Sequence, residues 1–244
     1  QTAYLKYYYP REFMAALMTS IMDNVTKVSE YILACRNMGI GILPPDINEG
    51  VSGFSVSGNS IRYGLSAIKS VGRAVVDVII SERETGGPFS TLEDFVSRMS
   101  NREVNKRTLE SFIKSGSLDS LPGTRKQKLY VSSELLENKA REKKTVMEGQ
   151  MSFFDIAPEE DKGNFQVSFP DVGEFDKETL LAFEKETLGI YVSGHPMEAY
   201  QELWQKNVTA RTSDFIVDED GHTVVEDNSI VVVGGMITAK KVKT

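Results

Sequence analysis

Apolar residues recur at steps of three and four from Arg11 to Ile21 and again from Val25 to Met38, the spacing that lines one face of a helix. Asp23-Asn24 supplies a cap between the two runs and Gly39 closes the second, so the pattern predicts two short antiparallel helices. Leu43-Pro44-Pro45-Asp46 then breaks helix, because proline lacks the amide a helix interior needs. Phe54-Ser55-Val56 and Ile61-Arg62-Tyr63 alternate around Ser57-Gly58-Asn59-Ser60, the pattern of a β-hairpin. From Gly64 to about Leu136 the spacing is helical and punctuated by glycine, with helices expected at Arg73 to Glu84, Thr91 to Met99, Asn105 to Ser115 and from Arg125 onward. Glu134 to Val146 continues as a charged helix with a thin apolar face, and an acidic run containing Pro and Gly follows it as a linker through Gly173. Helical spacing returns from Asp176 to Leu188, stops at Gly189, turns at Ser193-Gly194-His195-Pro196 and resumes to about Trp204. Phe215 to Val217, Thr223 to Val225 and Ile230 to Thr238 read as strands, the last bent at Gly234-Gly235. The whole is an α+β, mainly α, chain.

Charge changes this picture because it is unevenly spread. Lys and Arg total 28 against 35 Asp and Glu, a net charge of -7, so the overall field repels nucleic acid and any DNA-binding surface must be a local patch. Between Ser100 and Tyr130 there are seven bases (Arg102, Lys106, Arg107, Lys114, Arg125, Lys126, Lys128) and three acids (Glu103, Glu110, Asp119), a net of +4. Asp155 to Ile190 carries ten acids and three bases, a net of -7. The single cysteine, Cys35, lies at helical spacing from Val28, Tyr31 and Ile32, which points to a buried core thiol and excludes a disulfide within the chain. No run approaches the ~18 uninterrupted apolar residues of a membrane span and no secretory signal opens the chain, so a cytoplasmic address is expected. Gln1 leads straight into an aromatic-rich helical pattern, and the final strand begins a sheet that it does not complete; both suggest a piece of a longer protein.

The sharpest local pattern is Leu65-Ser66-Ala67-Ile68-Lys69-Ser70-Val71-Gly72-Arg73-Ala74-Val75-Val76-Asp77-Val78-Ile79, which looks like a helix-hairpin-helix. Leu65, Ile68, Val71, Val76 and Ile79 would pack two helices, and the turn would present amides at the start of the second. A helix N-terminus with free donors holds a phosphate without reading the base. Lys69 and Arg73 flank the turn to add charge-assisted contacts, and Ser70 stands where the usual hairpin has glycine. The plainer alternative is a pair of core helices joined by a glycine turn. A looser second copy occupies Leu109 to Leu129, with Lys114-Ser115-Gly116-Ser117 as its turn and Arg125, Lys126 and Lys128 on the next helix, and with Lys106 and Arg107 just before it. Its plain alternative is a solvated basic helix face. Two such turns side by side would grip both strands of a duplex, and neutralising about 4 to 6 phosphates predicts a log-log salt slope of about -4 to -5.

Gln150-Met151-Ser152-Phe153-Phe154 places two aromatic residues three and four after a Gln, inside the linker. Exposed phenylalanines in a linker call for a cover, either a partner's hydrophobic pocket or this chain's own core. The peptide resembles the bacterial sliding-clamp-binding pentapeptide, with Met151 and Phe153 where leucine is more usual. Asp218 and Asp220 invite a Mg²⁺ reading, but they lie in Asp218-Glu219-Asp220-Gly221 with no third ligand, the composition of a solvated turn. His195 and His222 have no Cys or His partners at zinc spacing, and neither a P-loop, a nucleophile elbow nor a dinucleotide fingerprint occurs.

Five segments together resemble one family in order along the chain: Gln1-Thr2-Ala3-Tyr4-Leu5-Lys6, Tyr9-Pro10-Arg11-Glu12-Phe13-Met14-Ala15-Ala16, Ile42-Leu43-Pro44-Pro45-Asp46-Ile47-Asn48, Tyr63-Gly64-Leu65-Ser66-Ala67-Ile68-Lys69 and Glu186-Thr187-Leu188-Gly189-Ile190-Tyr191-Val192-Ser193-Gly194-His195-Pro196. Each is similar to the DNA polymerase III alpha subunit. The resemblance implies that residues 1–50 end the fingers domain, 51–140 form a β-hairpin and tandem helix-hairpin-helix duplex-binding domain, and 141–172 hold the clamp-binding peptide and acidic linker. It further implies a helical connector at 173–206 and the start of an OB-type β-barrel at 207–244. Double-stranded DNA, the sliding clamp (beta subunit) and the rest of the polymerase III holoenzyme are the partners implied, in replication and processivity. The parent would be a DNA-directed DNA polymerase, a nucleotidyltransferase. Its palm aspartates and their Mg²⁺ have no counterpart in this segment, so no cofactor and no catalysis by the segment alone are expected. A clamp peptide ahead of the barrel favours the ordinary alpha subunit over the exonuclease-containing Gram-positive form. Two other readings stay open: a free-standing helix-hairpin-helix protein of the DNA-repair type, and an enzyme using Asp218 and Asp220.

Overall fold

The computed structural model describes residues 2–99, 104–147, 168–217, 222–237 and 242. Helices α1 (Thr2–Tyr8), α2 (Pro10–Ser20) and α3 (Val25–Asn37) open the chain. Pro10 sits in the first turn of α2, where a missing amide costs nothing, and the helix buries Met14, Ala15 and Met18. The Asn24 side chain accepts from the Lys27 amide to cap α3, which buries Val28, Ile32 and Cys35. Burial pushes the Cys35 thiol up to about 11, so it stays protonated and inert at neutral pH, as its spacing predicts. Gly39, at a φ of +74°, ends the run.

A three-stranded sheet follows, of β1 (Gly41–Leu43), β2 (Ser55–Ser57) and β3 (Ser60–Arg62), in the order β1-β3-β2. The predicted hairpin is present, with Val56 opposite Ile61 in antiparallel pairing and Gly58 at a φ of +58° in the turn. The added strand β1 pairs parallel to β3, with Ile42 opposite Ile61. Three residues ahead of two prolines carry no alternation, so only their distant partner defines them as a strand.

After a 3-10 turn at Leu65–Ala67 come α4 (Arg73–Gly86), α5 (Leu92–Arg98), α6 (Lys106–Lys114), α7 (Arg125–Met147) and α8 (Lys177–Thr187). The expected first helix of the leading hairpin is thus a single 3-10 turn. Caps set the boundaries: Thr91, Asn105 and Asp176 accept from the amides of Asp94, Thr108 and Thr179, satisfying donors a helix start leaves free. Packing centres on edge-to-face rings, Phe89 with Phe95 at 5.1 Å and Phe95 with Phe112 at 5.8 Å. Arg98 lies 4.3 Å over the Phe89 ring while donating to the Glu82 and Gly87 carbonyls, so one guanidinium ties α4 to α5. Met14, Val28 and Ile32 share one apolar cluster with Phe95, Phe112 and Val131, so this core runs across the expected boundary near residue 50.

The end of α8 is anchored to the leading hairpin by two long-range bonds. The Lys69 amide donates to the Thr187 carbonyl at 2.9 Å, and the buried Tyr63 hydroxyl donates to the Leu188 carbonyl at 3.0 Å. Burial raises the Tyr63 phenol well above its ordinary value, so it remains a donor. Glu184, itself buried, accepts the amides of Val192 and Ser193 through Oε2 at 2.8 and 3.0 Å and closes the turn after Gly189.

Compactness divides the chain into residues 1–193 and 194–244. The second unit has 3-10 turns at Pro196–Tyr200 and Thr212–Phe215 around α9 (Gln201–Asn207), and no strand among its described residues. Of the strands expected at 215–217, 223–225 and 230–238, the described residues 215–217, 223–225 and 230–237 carry no strand pairing. Val232 instead accepts from Thr209 and Ala210 amides and donates to the Thr209 hydroxyl, while Ile230 and Ile237 are exposed. β-Favouring residues alone do not make a strand, which needs a neighbouring ladder.

Candidate nucleic-acid interface

The leading hairpin turn follows from its residues. Ile68 and Val71 are buried and hold the loop to the core, while Lys69, Ser70, Gly72 and Arg73 are exposed. Ser70 takes a φ of +68°, the left-handed region that costs an ordinary residue roughly 1–2 kcal/mol and glycine little. That geometry accounts for the glycine of the usual motif. Replacing it, Ser70→Gly, should raise the unfolding free energy by about 0.5–1 kcal/mol in urea denaturation, relief of strain offset by unfolded-state entropy. The Val71 amide is engaged, donating to the Ile68 carbonyl at 3.2 Å, so Val71 serves packing and offers no donor, a correction to its expected role. Within the described residues the amides of Ser70, Gly72, Arg73 and Ala74 donate to no carbonyl or side chain, and α4 has no side-chain cap. They present free donors at the positive end of a 14-residue helix.

Beside this turn lies a cleft of about 210 Å³ that the first unit builds from three elements: Lys69 and Ser70 of the turn, Arg107, Glu110, Ser111 and Lys114 of α6, and Glu186 and Thr187 of α8. The α6 residues fall at helical intervals on one face, while Leu109, Phe112 and Ile113 face the core. Lys69, Arg73 and Arg107 hold no ion pair among the described residues, whereas Lys114 is paired with Glu186. The structure thus brings Lys69, Ser70, Arg107 and Lys114 together and leaves Lys106 exposed on the first turn of α6 outside the cleft. Glu110, Ser111, Glu186 and Thr187 complete the lining and were not anticipated; the α6 pair was readable from its seven-residue span between Arg107 and Lys114.

The second expected turn is different, and here the structure corrects the sequence reading. Ser115 and Ser117 are fully buried, and both hydroxyls donate to the Phe112 carbonyl, at 3.0 and 2.8 Å. The amides of Ser115, Gly116 and Ser117 donate to the carbonyls of Ser111, Ile113 and Phe112, so neither Ser115 nor Gly116 has a donor to give. Arg125 is 8% exposed; its Nη2 lies 2.6 Å from Asp119 Oδ2 and its Nη1 donates to the Lys114 carbonyl. Lys128 has no exposed surface, and its ammonium donates at 2.8 Å to the Leu118 and Leu121 carbonyls while burial depresses its pKa. The amides that open α7 are engaged as well. Those of Arg125 and Lys126 donate to the two Glu174 oxygens at 2.8 and 3.1 Å, and Thr124 and Gln127 cap one another reciprocally. The Lys126 ammonium lies 5.7 Å from the Phe175 ring and lines no part of the cleft. Arg125 and Lys128 therefore shape the turn from within, while Lys126 is half-buried against Phe175.

The peptide Gln150 to Phe154 and the acids Asp218 and Asp220 lie outside the described residues. Among those described, no three His, Cys, Asp or Glu side chains converge as a metal site would require, and no helix is long and apolar enough to cross a membrane.

A left-handed turn that exposes amides at a helix start, beside a basic cleft, defines a helix-hairpin-helix protein, and a family profile described as a helix-hairpin-helix motif matches residues 39–128. Relatives extend along nearly the whole chain. DNA polymerase III subunit alpha of Borreliella burgdorferi is 43% identical over 202 residues, covering 83% of this chain and 18% of that protein. The Thermus aquaticus protein of the same name is 42% identical over 203 residues, 83% and 16%. That of Vibrio cholerae is 36% identical over 248 aligned residues, 100% and 20%. This chain belongs to the DNA polymerase III alpha subunit family and spans about a fifth of the length of these relatives.

Proposed function

We propose that this chain is the part of a bacterial replicative polymerase that holds duplex DNA by its phosphates and carries the attachment peptide for the sliding clamp. The observation that supports the first half is the juxtaposition of free amides at Ser70, Gly72, Arg73 and Ala74 with the cleft of Lys69, Arg107 and Lys114. Such donors and cations suit a phosphodiester backbone and none of them is arranged to read bases, so binding is independent of sequence. With Arg125 and Lys128 turned inward, Lys69, Arg73 and Arg107 remain as free cations near the turn. Three neutralised phosphates give a log-log salt slope of about -3, shallower than the charge count alone suggests.

The clamp half of the proposal rests on Gln150, Met151, Ser152, Phe153 and Phe154, whose aromatic pair suits a hydrophobic pocket and whose amide suits its rim. Attachment to a ring turns each rebinding event into an intramolecular one, so modest phosphate contacts suffice for processivity. Nucleotidyl transfer and its Mg²⁺ would belong to other parts of the parent protein, in a cytoplasmic holoenzyme.

Fluorescence anisotropy tests both halves. Two labelled duplexes of unrelated sequence should bind with equal affinity, and failure to bind either one would refute the DNA half. Alanine at Gln150, Phe153 and Phe154 together should abolish binding to labelled clamp and leave duplex binding intact; retained clamp affinity would remove the peptide from the account.

A further inference from the structure

Of the three cations that line the cleft, Lys69, Arg107 and Lys114, the last is not free. Lys114 Nζ lies 2.9 Å from Glu186 Oε1 and 3.2 Å from Oε2, and 5.3 Å from the centroid of the Phe183 ring one turn back on α8. An ordinary surface pair is held loosely by two long side chains. Here the backbone immediately after Glu186 is fixed by two bonds, the Thr187 carbonyl accepting from the Lys69 amide and the Leu188 carbonyl accepting from the Tyr63 hydroxyl. A carboxylate is therefore positioned on a cleft lysine that a phosphate would otherwise take. Its side chain is 57% exposed, so solvent and a competing anion both reach it.

We propose that Glu186 is a built-in substitute for phosphate, and that a duplex phosphate takes Lys114 by exchanging with it. The inference rests on the duplex-binding reading above and adds the regulation of that site. Exchange has a defined ionic consequence. A phosphate contact releases a condensed cation from DNA, but a carboxylate stripped of its lysine recruits one from solution, so the two cancel and Lys114 contributes nothing to the salt dependence. Glu186 thereby holds the resting cleft closed to weakly bound anions and keeps the grip on duplex shallow enough to be released and remade.

The test is a salt titration of duplex affinity for the 244-residue chain, comparing wild type with Glu186→Gln, Glu30→Gln and the double variant Lys114→Gln/Glu186→Gln. Glu186→Gln should bind about eightfold more tightly at 0.1 M salt and steepen the log-log slope by about 0.9, because the cation released at the Lys114 contact is no longer offset by one recruited to a carboxylate. Glu30 is exposed on α3, outside the cleft and without an ion pair among the described residues, so Glu30→Gln, which makes the same change in net charge, should leave the slope unchanged. The double variant should return to the wild-type slope. If wild type binds duplex and Glu186→Gln has its slope, the exchange is refuted while the duplex-binding reading stands. If neither protein binds duplex, the reading beneath it falls.

Discussion

Reversing both free cations of the cleft, Lys69→Glu with Arg107→Glu, should weaken duplex binding by about 50- to 100-fold at 0.1 M salt. Each phosphate contact is worth about 0.9 log units per tenfold change in salt, and two contacts are removed together. Repulsion from the new carboxylates adds to the loss. Both residues are exposed and free of ion pairs among the described residues, so the folded state has little to lose. The melting temperature should stay within about 2 °C of wild type, which separates loss of binding from loss of fold. Equal loss for two unrelated duplexes, measured by anisotropy, is the signature of phosphate contacts.

Lys128→Met should do the reverse. The ammonium bridges the Leu118 and Leu121 carbonyls at 2.8 Å each and closes the turn between α6 and α7. Methionine fills the volume but leaves both acceptors without that donor. Relief of the buried charge offsets part of the cost, and the net loss should be about 2–3 kcal/mol, or about 5–10 °C in melting temperature. Duplex affinity measured well below the transition should not change, because the side chain has no exposed surface. The pH dependence has a definite sign. Burial, the largest cause, lowers the Lys128 pKa below 10.5, so the folded protein sheds this proton before the unfolded chain does. Between the lowered value and 10.5 the unfolded chain binds more protons, and wild type gains stability as pH rises through that window. The methionine variant has no such gain, so the gap between the two proteins should widen there.

These two lysines show which parts of the molecule were legible in the sequence. Capping chemistry made most helices readable, because Asn24, Thr91 and Asn105 accept from the amides their positions predict. The turn at Ser70 was readable because packing residues flank a loop whose geometry wants glycine. The second turn misled because charge says what a side chain carries and nothing about where it points. Lys128 does carry a signal of burial, however: Val131, Ser132 and Leu135 follow it at three, four and seven, which puts it on the inward stripe of α7. The capping role of Glu174 had no such signal, since its partners lie 48 and 49 positions away. The same holds for β1, and for the segment around Val232, where composition favours a strand while pairing depends on distant residues.

In the proposed complex the exposed amides after Ser70 and the three free cations beside them meet phosphates. Duplex affinity measured from 50 to 300 mM salt tests it most directly, by a counterion-release analysis. A straight log-log line is expected, with a slope of about -3 that falls to about -1 when Lys69 and Arg107 are both reversed. A slope near zero, or one that the double reversal leaves unchanged, would contradict it.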